Sequence, residues 1–177
     1  MYFNSFPLQV YDSVGNGDYK VVTNLLKRVA LHSKARSVSS LYDIYDVRSG
    51  ETPEMVADKI YGDSEYHWVV LLVNNITDRY HQWPMNNRQF LAHLAVRYDN
   101  MDATHHYEIY QTSGDTTVKI DIGPTNVDSD GDTIAAAVLI TNREYEEAKQ
   151  DKLRKIRLLD PSYLEQFIKD FENLIGS

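Results

Sequence analysis

Cysteine is absent from this chain, and several patterns that mark particular protein classes are missing too. Without cysteine, neither a disulfide framework nor a thiolate zinc site can form. No apolar run approaches the roughly 20 residues that a membrane-spanning helix needs, so we expect no membrane partner. Residues 1–7 lack the basic and apolar regions of a signal peptide, and we therefore expect a chain that is not exported on its own.

Positive charge is scarce as well. The 177 residues carry 18 Lys and Arg against 26 Asp and Glu, a formal net charge of -8. Because nonspecific affinity for nucleic acid depends on Lys and Arg that neutralise phosphates, this balance predicts no nucleic-acid partner. Residues 149–157 concentrate basic side chains, but acidic residues alternate with them, so we interpret the segment as a solvated mixed-charge surface.

The residue types that commonly carry catalysis are present without a recognisable spacing. No serine occupies a Gly-x-Ser-x-Gly elbow, and no glycine-rich phosphate loop precedes a helix. The six histidines are not spaced as zinc ligands. His105 and His106 are adjacent, and on a predicted strand their side chains would point to opposite faces. The sequence therefore predicts no enzymatic activity, no catalytic residues, no cofactor and no metal site.

Residues 126–131, Asn-Val-Asp-Ser-Asp-Gly, match the first half of a calcium loop. The match fails at the twelfth position, where Ala137 stands in place of the bidentate glutamate. We interpret the segment as a solvated acidic turn, with weak calcium binding as the alternative.

Thirteen tyrosines are an unusual number for a chain of this length. Tyrosine offers a large rigid surface with a polar tip and is enriched at protein interfaces. Many of these residues also fit strands at the edge of a core, so both interpretations stay open.

The most informative segment is 41–75, which predicts a strand followed by two helices. A strand is expected at 41–47, and Thr52 can then cap a helix whose first position suits Pro53. Gly62 can end that helix in the left-handed conformation, and a second helix follows to about Asn74.

This segment resembles the LysM module. The residue pattern is similar to that of the LysM-bearing baseplate wedge proteins of T-even-like, contractile-tailed bacteriophages. The residues that carry the resemblance are Pro53-Glu54, Ala57, Ile60-Tyr61-Gly62, Tyr66-His67-Trp68 and Trp83-Pro84. The resemblance implies a structural, non-enzymatic part of the virion, located in the tail baseplate and assembled in the host cytoplasm. The implied partners are other wedge proteins and tail proteins near the hub, which the chain would join in a hetero-oligomer.

A peptidoglycan-binding LysM module is the alternative function. In such modules two loops form a groove for N-acetylglucosamine chains, and here they would be residues 50–52 and 75–77. Residues 78–83, Asp-Arg-Tyr-His-Gln-Trp, depart from the Pro-Gly-rich entry to the second strand of that family. This departure favours a protein partner over a glycan.

The predicted architecture is α+β in three parts: an N-terminal arm and connection at 1–40, a LysM-like βααβ module at 41–85, and a C-terminal α+β region at 86–177. Residues 3–11 predict an extended arm or an edge strand. Residues 21–29 fit either a short helix or a strand. The second strand of the LysM-like module is expected near 76–85, and a helix capped by Asn86 or Asn87 follows it.

The C-terminal region predicts a β-hairpin at 105–122, with Ser113-Gly114-Asp115 as its turn. Thr141 and Glu144 form a capping box for a polar helix, and a short strand follows at 156–159. The last helix starts at Asp160-Pro161 and has a regular apolar face, which packs either on the C-terminal sheet or against a neighbouring subunit.

Five aromatic residues are the candidate partner contacts. Trp83 lies beside a proline in a predicted loop, so we expect it to be partly exposed and able to anchor a partner. Tyr80 lies in the same loop. The other three are in the arm: Tyr2, Phe3 and Phe6.

Overall fold

The computed structural model describes residues 2–31 and 38–176, which form two compact units. Unit 1 comprises Met1–Trp83 and Arg154–Ser177, and unit 2 comprises Pro84–Leu153. Helices and antiparallel sheets both occur, so the predicted α+β class is confirmed. Among the described residues, no helix has the length and apolar character needed to cross a bilayer.

In its described residues, unit 1 contains two pairs of strands and four α-helices. In chain order its elements are β1 (Leu8–Tyr11), β2 (Lys20–Thr23), β3 (Tyr42–Asp46), α1 (Pro53–Tyr61), α2 (His67–Val73), α3 (Arg79–Gln82), then β7 (Lys155–Leu159) and α6 (Leu164–Gly176). The first residues, Tyr2–Ser5, form a short 3-10 helix rather than an extended arm. At 20–23, where the sequence allowed a helix or a strand, the structure has a strand.

The joints of the β3-α1-α2 segment form as the sequence predicted. The Thr52 side chain accepts a hydrogen bond from the Met55 N–H at 3.3 Å, and α1 begins at Pro53. Gly62 ends the helix with φ of 76° and donates its N–H to Asp58 O at 2.9 Å. Local capping therefore sets both ends of α1.

The partner of β3 is a strand far away in the sequence. β3 pairs antiparallel with β7, from Tyr42 opposite Leu159 to Asp46 opposite Lys155. The expectation of a second strand near 76–85 is wrong, because that segment contains helix α3. The units differ from the sequence-based division in two respects: residues 1–83 lie in one unit, and residues 154–177 group with them.

The core of unit 1 lies between this sheet and helices α1 and α2. Its central cluster consists of buried side chains from β7, the two helices and the flanking loops: Val47, Val56, Ala57, Val70, Trp83, Ile156 and Leu158. The Asn74 side chain secures the outer edge of β7: its amide donates to Arg157 O at 2.8 Å and its oxygen accepts from the Arg157 N–H at 2.8 Å. The Asn74 side chain thus makes the two backbone hydrogen bonds that a third strand would make with Arg157.

The final helix α6 packs inside unit 1. Leu164 contacts Val69, Val73 and Leu159, while Phe171 and Ile175 pack with Phe6. Its regular apolar stripe is therefore used mostly within the chain, although Leu174 on the same helix stays exposed.

Unit 2 contains α4 (Asn87–Arg97), β4 (Thr104–Ser113), β5 (Thr116–Gly123), β6 (Val138–Thr141) and most of α5 (Asn142–Arg154). The predicted hairpin is confirmed, with Ser113 opposite Thr116 across the turn, and the sheet order is β5-β4-β6. Both helices start with the predicted caps, since Asn86 and Gln89 form a capping box and Thr141 and Glu144 form another.

The interior of unit 2 is unusually polar. Between residues 84 and 153, all of which are described, the buried side chains are Phe90, Leu94, His106, Glu146 and Gln150. The Glu146 side chain is only 4% exposed and accepts hydrogen bonds from Tyr98 Oη at 2.9 Å and Lys149 Nζ at 3.1 Å. Arg97 Nε lies 3.4 Å from the same carboxylate.

The ionised form of Glu146 is favoured by these neighbours. Burial raises the pKa of the carboxyl group, but the hydrogen bonds from Tyr98 and Lys149 and the charges of Lys149 and Arg97 outweigh it. The pKa of Glu146 therefore lies below its ordinary value of 4.5. The interior of unit 2 thus contains a carboxylate, whereas the central cluster of unit 1 consists of hydrophobic side chains.

Replacing Asn74 with alanine tests the closure of unit 1 by β7. We expect Asn74→Ala to lower the free energy of unfolding by about 1–3 kcal/mol, because the Arg157 backbone loses its partner at the strand edge. Urea unfolding measures the loss, and amide exchange should accelerate most at Arg157. Asn173→Ala, on an exposed position of α6, is the control; equal losses in both variants would contradict the role of Asn74.

Replacing Glu146 with glutamine tests the polar centre of unit 2. A carboxyl group whose pKa is lowered on folding stabilises the native state above its unfolded pKa, and this contribution disappears as the pH falls through the folded pKa. We therefore expect Glu146→Gln to destabilise at neutral pH, and the difference from the parent to shrink below pH 4.5. Thermal unfolding against pH measures it, with the exposed Glu147→Gln as the control. A difference that does not vary with pH would contradict the assignment.

Candidate functional site

An exposed apolar surface of unit 1 is the N-terminal ribbon, defined as β1, β2 and the loop 12–19 between them. The two strands pair only with each other in the described part of the chain, from Leu8 opposite Thr23 to Tyr11 opposite Lys20. Every residue of both strands is exposed. Leu8, Val10 and Val21 share one face of the ribbon and are 70%, 63% and 67% exposed.

The tip of the ribbon is organised by one carboxylate. Asp12 accepts hydrogen bonds from the backbone N–H groups of Val14, Gly15 and Gly17 at 3.1, 2.7 and 2.8 Å. These bonds, that from Gly17 foremost, hold the pKa of Asp12 below its ordinary value. At the other end the Asn24 N–H donates to Pro7 O at 2.8 Å. The ribbon therefore has a defined shape although no core supports it.

An open groove of about 900 Å³ continues the apolar surface from the base of the ribbon. One wall consists of N-terminal residues, including Phe3, Leu25 and Leu26, and the other of α2 and the loop after it, including Trp68 and Ile76. Leu26 is exposed for most of its surface. The groove is lined mainly by aliphatic and aromatic side chains, and its lining also includes Lys27, Arg28, Glu65 and His67.

The three aromatic residues predicted in the arm differ in their surroundings. Phe6 is buried with Phe171 and Ile175. Tyr2 stacks on Phe171, with ring centroids 5.3 Å apart. Phe3 is 58% exposed and lines the groove, so it is the one of the three with most surface left for a partner.

Trp83 and Tyr80 also differ. The expectation that Trp83 is partly exposed is wrong, since it is 7% exposed and its Nε1–H donates to Glu51 O at 2.8 Å. A buried tryptophan needs such a partner for its N–H, and here the loop after β3 supplies it. Tyr80, on helix α3, is 86% exposed. That any of these residues contacts a partner stays a prediction.

The two loops expected to line a glycan groove are engaged inside unit 1. Glu51 O accepts the Trp83 bond, and the Glu51 carboxylate accepts from Tyr45 Oη at 2.9 Å. In the other loop, the Thr77 N–H donates to Gln82 Oε1 at 2.8 Å, and Ile76 packs on the core. Many polar groups that could recognise a sugar are therefore already paired.

His105 and His106 do not point to opposite faces, so that expectation is wrong. The register of β4 with β6 shifts between Thr104 and His106, and this irregularity brings the two Nδ1 atoms to 2.8 Å. Burial, and after it the charges of His106 and Lys149, hold the pKa of His105 below its ordinary value.

Metal-binding geometry is not found in the described residues: no three His, Asp or Glu side chains there converge on one point. In the segment that resembles half a calcium loop, the Asp128 carboxylate accepts hydrogen bonds from the N–H groups of Asp130 and Asp132 at 3.0 and 2.9 Å. That geometry is the one expected of an acidic turn.

Comparison with known protein families decides which kind of protein carries these surfaces. The model of the family described as base plate wedge protein 53 matches residues 13–120. The chain belongs to this family. No curated protein matches it.

As a base plate wedge protein, the chain is a structural component of a bacteriophage tail baseplate and assembles with other baseplate proteins. The matched segment begins in the loop of the N-terminal ribbon and ends within β5, so it includes parts of both units.

The N-terminal ribbon was not predicted from the sequence. Its signal was present in the sequence, since two β-branched or aromatic runs flank the turn-rich segment 12–18, Asp-Ser-Val-Gly-Asn-Gly-Asp. The sequence did not show that, in the part of the chain that the structure describes, no third strand pairs with either run.

Alanine at Trp83 and at Tyr80 should separate a core residue from a surface residue. We expect Trp83→Ala to lower the free energy of unfolding by about 3–5 kcal/mol, because it removes a buried ring and its hydrogen bond. Tyr80→Ala should stay within about 0.5 kcal/mol of the parent. Chemical unfolding measures both; equal stabilities in the two variants would contradict the burial of Trp83.

Proposed function

We propose that this protein joins wedge subunits to each other and around the tail hub during assembly of a contractile, T-even-like baseplate. The N-terminal ribbon is the main contact element. The observation that carries this proposal is a two-stranded sheet with aliphatic side chains exposed on a protein of the base plate wedge family.

The physical argument for the ribbon starts from its stability. An isolated two-stranded sheet is at best marginally stable in water, and surfaces of contiguous exposed apolar residues commonly mark interaction sites. Asp12 and Asn24 hold the ribbon in shape before any partner binds. Such preorganisation lowers the entropy lost on assembly.

A LysM-like origin of unit 1 is part of the proposal. The order β3-α1-α2-β7 is a βααβ arrangement, with the short helix α3 and unit 2 placed in the sequence before its last strand. This order supports a LysM-like module whose second strand lies after an insertion of residues 84–153.

The glycan-binding alternative receives less support. In the loops at 50–52 and 75–77, the Glu51 carbonyl is bonded to Trp83 and Thr77 is bonded to Gln82. The ion pair between Arg79 Nη1 and Glu54 Oε1, at 2.8 Å, links α3 to α1. A sugar chain would have to compete with these internal contacts.

The proposed role is non-enzymatic and is exercised in the virion after assembly in the host cytoplasm. The support is the family membership together with surfaces made mainly of aliphatic and aromatic side chains. A role in assembly needs complementary surfaces rather than reacting groups.

Changing one face of the ribbon tests this proposal. We expect Val10→Lys to fold like the parent and to fail in assembly, because a charge would be buried in the contact. A phage that lacks the gene is complemented with either form, and quantitative mass spectrometry of purified particles measures how much of the chain they contain. Gln9→Lys, on the opposite face of the same strand, is the matched control.

Two results would contradict the proposal. If the Val10→Lys chain is found in particles at the same stoichiometry as the parent chain, the ribbon is not part of the contact. Absence of the parent chain itself from intact particles would remove the assembly role, and cosedimentation of the purified chain with peptidoglycan would then favour the glycan-binding alternative.

A further inference from the structure

Strand β5 forms one end of the sheet in unit 2. In the described part of the chain its strand partner is β4 alone, so its outer edge has no second strand beside it. β5 runs from Thr116 to Gly123, and its first six residues are exposed. An exposed edge of this length is a template for another strand, and proteins usually protect such edges.

The side chains of β5 separate an aliphatic face from a charged face. Residues directly opposite in a sheet share a face, and Ile120 lies opposite Ile109 while Lys119 lies opposite Tyr110. Val118 and Ile120 are 52% and 42% exposed. Lys119 and Asp121 lie on the other face, two residues apart.

We propose that β5 pairs antiparallel with β5 of a second copy of this chain, in a two-fold-symmetric register centred on Ile120. Lys119 of each copy then lies opposite Asp121 of the other copy. Ile120 of each copy lies opposite Ile120 of the other copy on the aliphatic face. The three strands of each copy thereby join in one continuous sheet.

Charge complementarity selects both the occupant and the register. If the two-fold axis moves to Lys119, two lysines face each other, and if it moves to Asp121, two aspartates do. Like charges directly opposite are destabilising. If the register between the two copies shifts by one residue, the aliphatic side chains of one copy lie on the same side of the sheet as the charged side chains of the other.

Glu108 on β4 is the neighbour of both charges within one copy, since it lies opposite Asp121 and pairs with Lys119. Lys119 Nζ lies 3.6 Å from Glu108 Oε2 on β4, and its side chain stays 64% exposed. Asp121 accepts the Gly123 N–H at 2.8 Å and is exposed. A lysine alone in an edge strand would repel the same lysine of a second copy. Because Asp121 lies two residues after Lys119, each Lys119 lies opposite an aspartate of the other copy in the antiparallel pair.

Sedimentation of the full chain over a range of concentrations tests the inference, which does not depend on the proposed function. The parent should form a dimer. Lys119→Asp and Asp121→Lys should each weaken it by about ten-fold or more, since each replaces two opposite-charge pairs with like-charge pairs. Lys169→Asp, on exposed α6, makes the same charge change away from β5 and should leave the dimer unchanged.

Mixing the two variants gives the decisive result. An equimolar mixture of Lys119→Asp and Asp121→Lys should form a heterodimer, because every charged pair is again opposite in sign. The double variant Lys119→Asp with Asp121→Lys should recover the homodimer for the same reason. A parent chain that is monomeric at every concentration, or a dimer that neither single reversal weakens, would overturn the proposal.

Discussion

Unit 1 depends on the antiparallel pairing of β3 with β7. This pairing joins residues 42–46 to residues 155–159 and brings Ile156 and Leu158 beneath helices α1 and α2. Without β7, Val47, Val56 and Val70 would lose part of the apolar surface that covers them. The Asn74 side chain completes the arrangement by satisfying the far edge of β7. A local βαα segment thus becomes a stable module only through a contact made late in the chain.

The two units bury apolar surface very differently. Unit 1 has three clusters of buried hydrophobic residues, whereas the interior of unit 2 includes His106, Glu146 and Gln150. Apolar side chains of both units remain on surfaces instead, in the N-terminal ribbon and on β5. A protein that works alone would gain little from this distribution. A baseplate protein, which functions in contact with other subunits, can bury such surfaces on assembly.

Local signals explain what the sequence could predict. Thr52, Pro53 and Gly62 fix helix α1 through interactions within a few residues, and Thr141 with Glu144 does the same for α5. The partner of β3 could not be predicted, since strand pairing over such a separation has no local marker. Trp83 was expected in a loop, but its burial depends on the Glu51 carbonyl being free to accept its N–H. The shift in register at His105 likewise arises from pairing with β6 rather than from the sequence near the histidines.

Hydrogen exchange of the chain, free and in assembled particles, tests the central claim most directly. The account predicts that β3 and β7 exchange slowly and together in the free chain, while β1 and β2 exchange fast and become protected in particles. Slow exchange of β1 and β2 in the free chain, or no added protection on assembly, would contradict the account of the ribbon as a contact element.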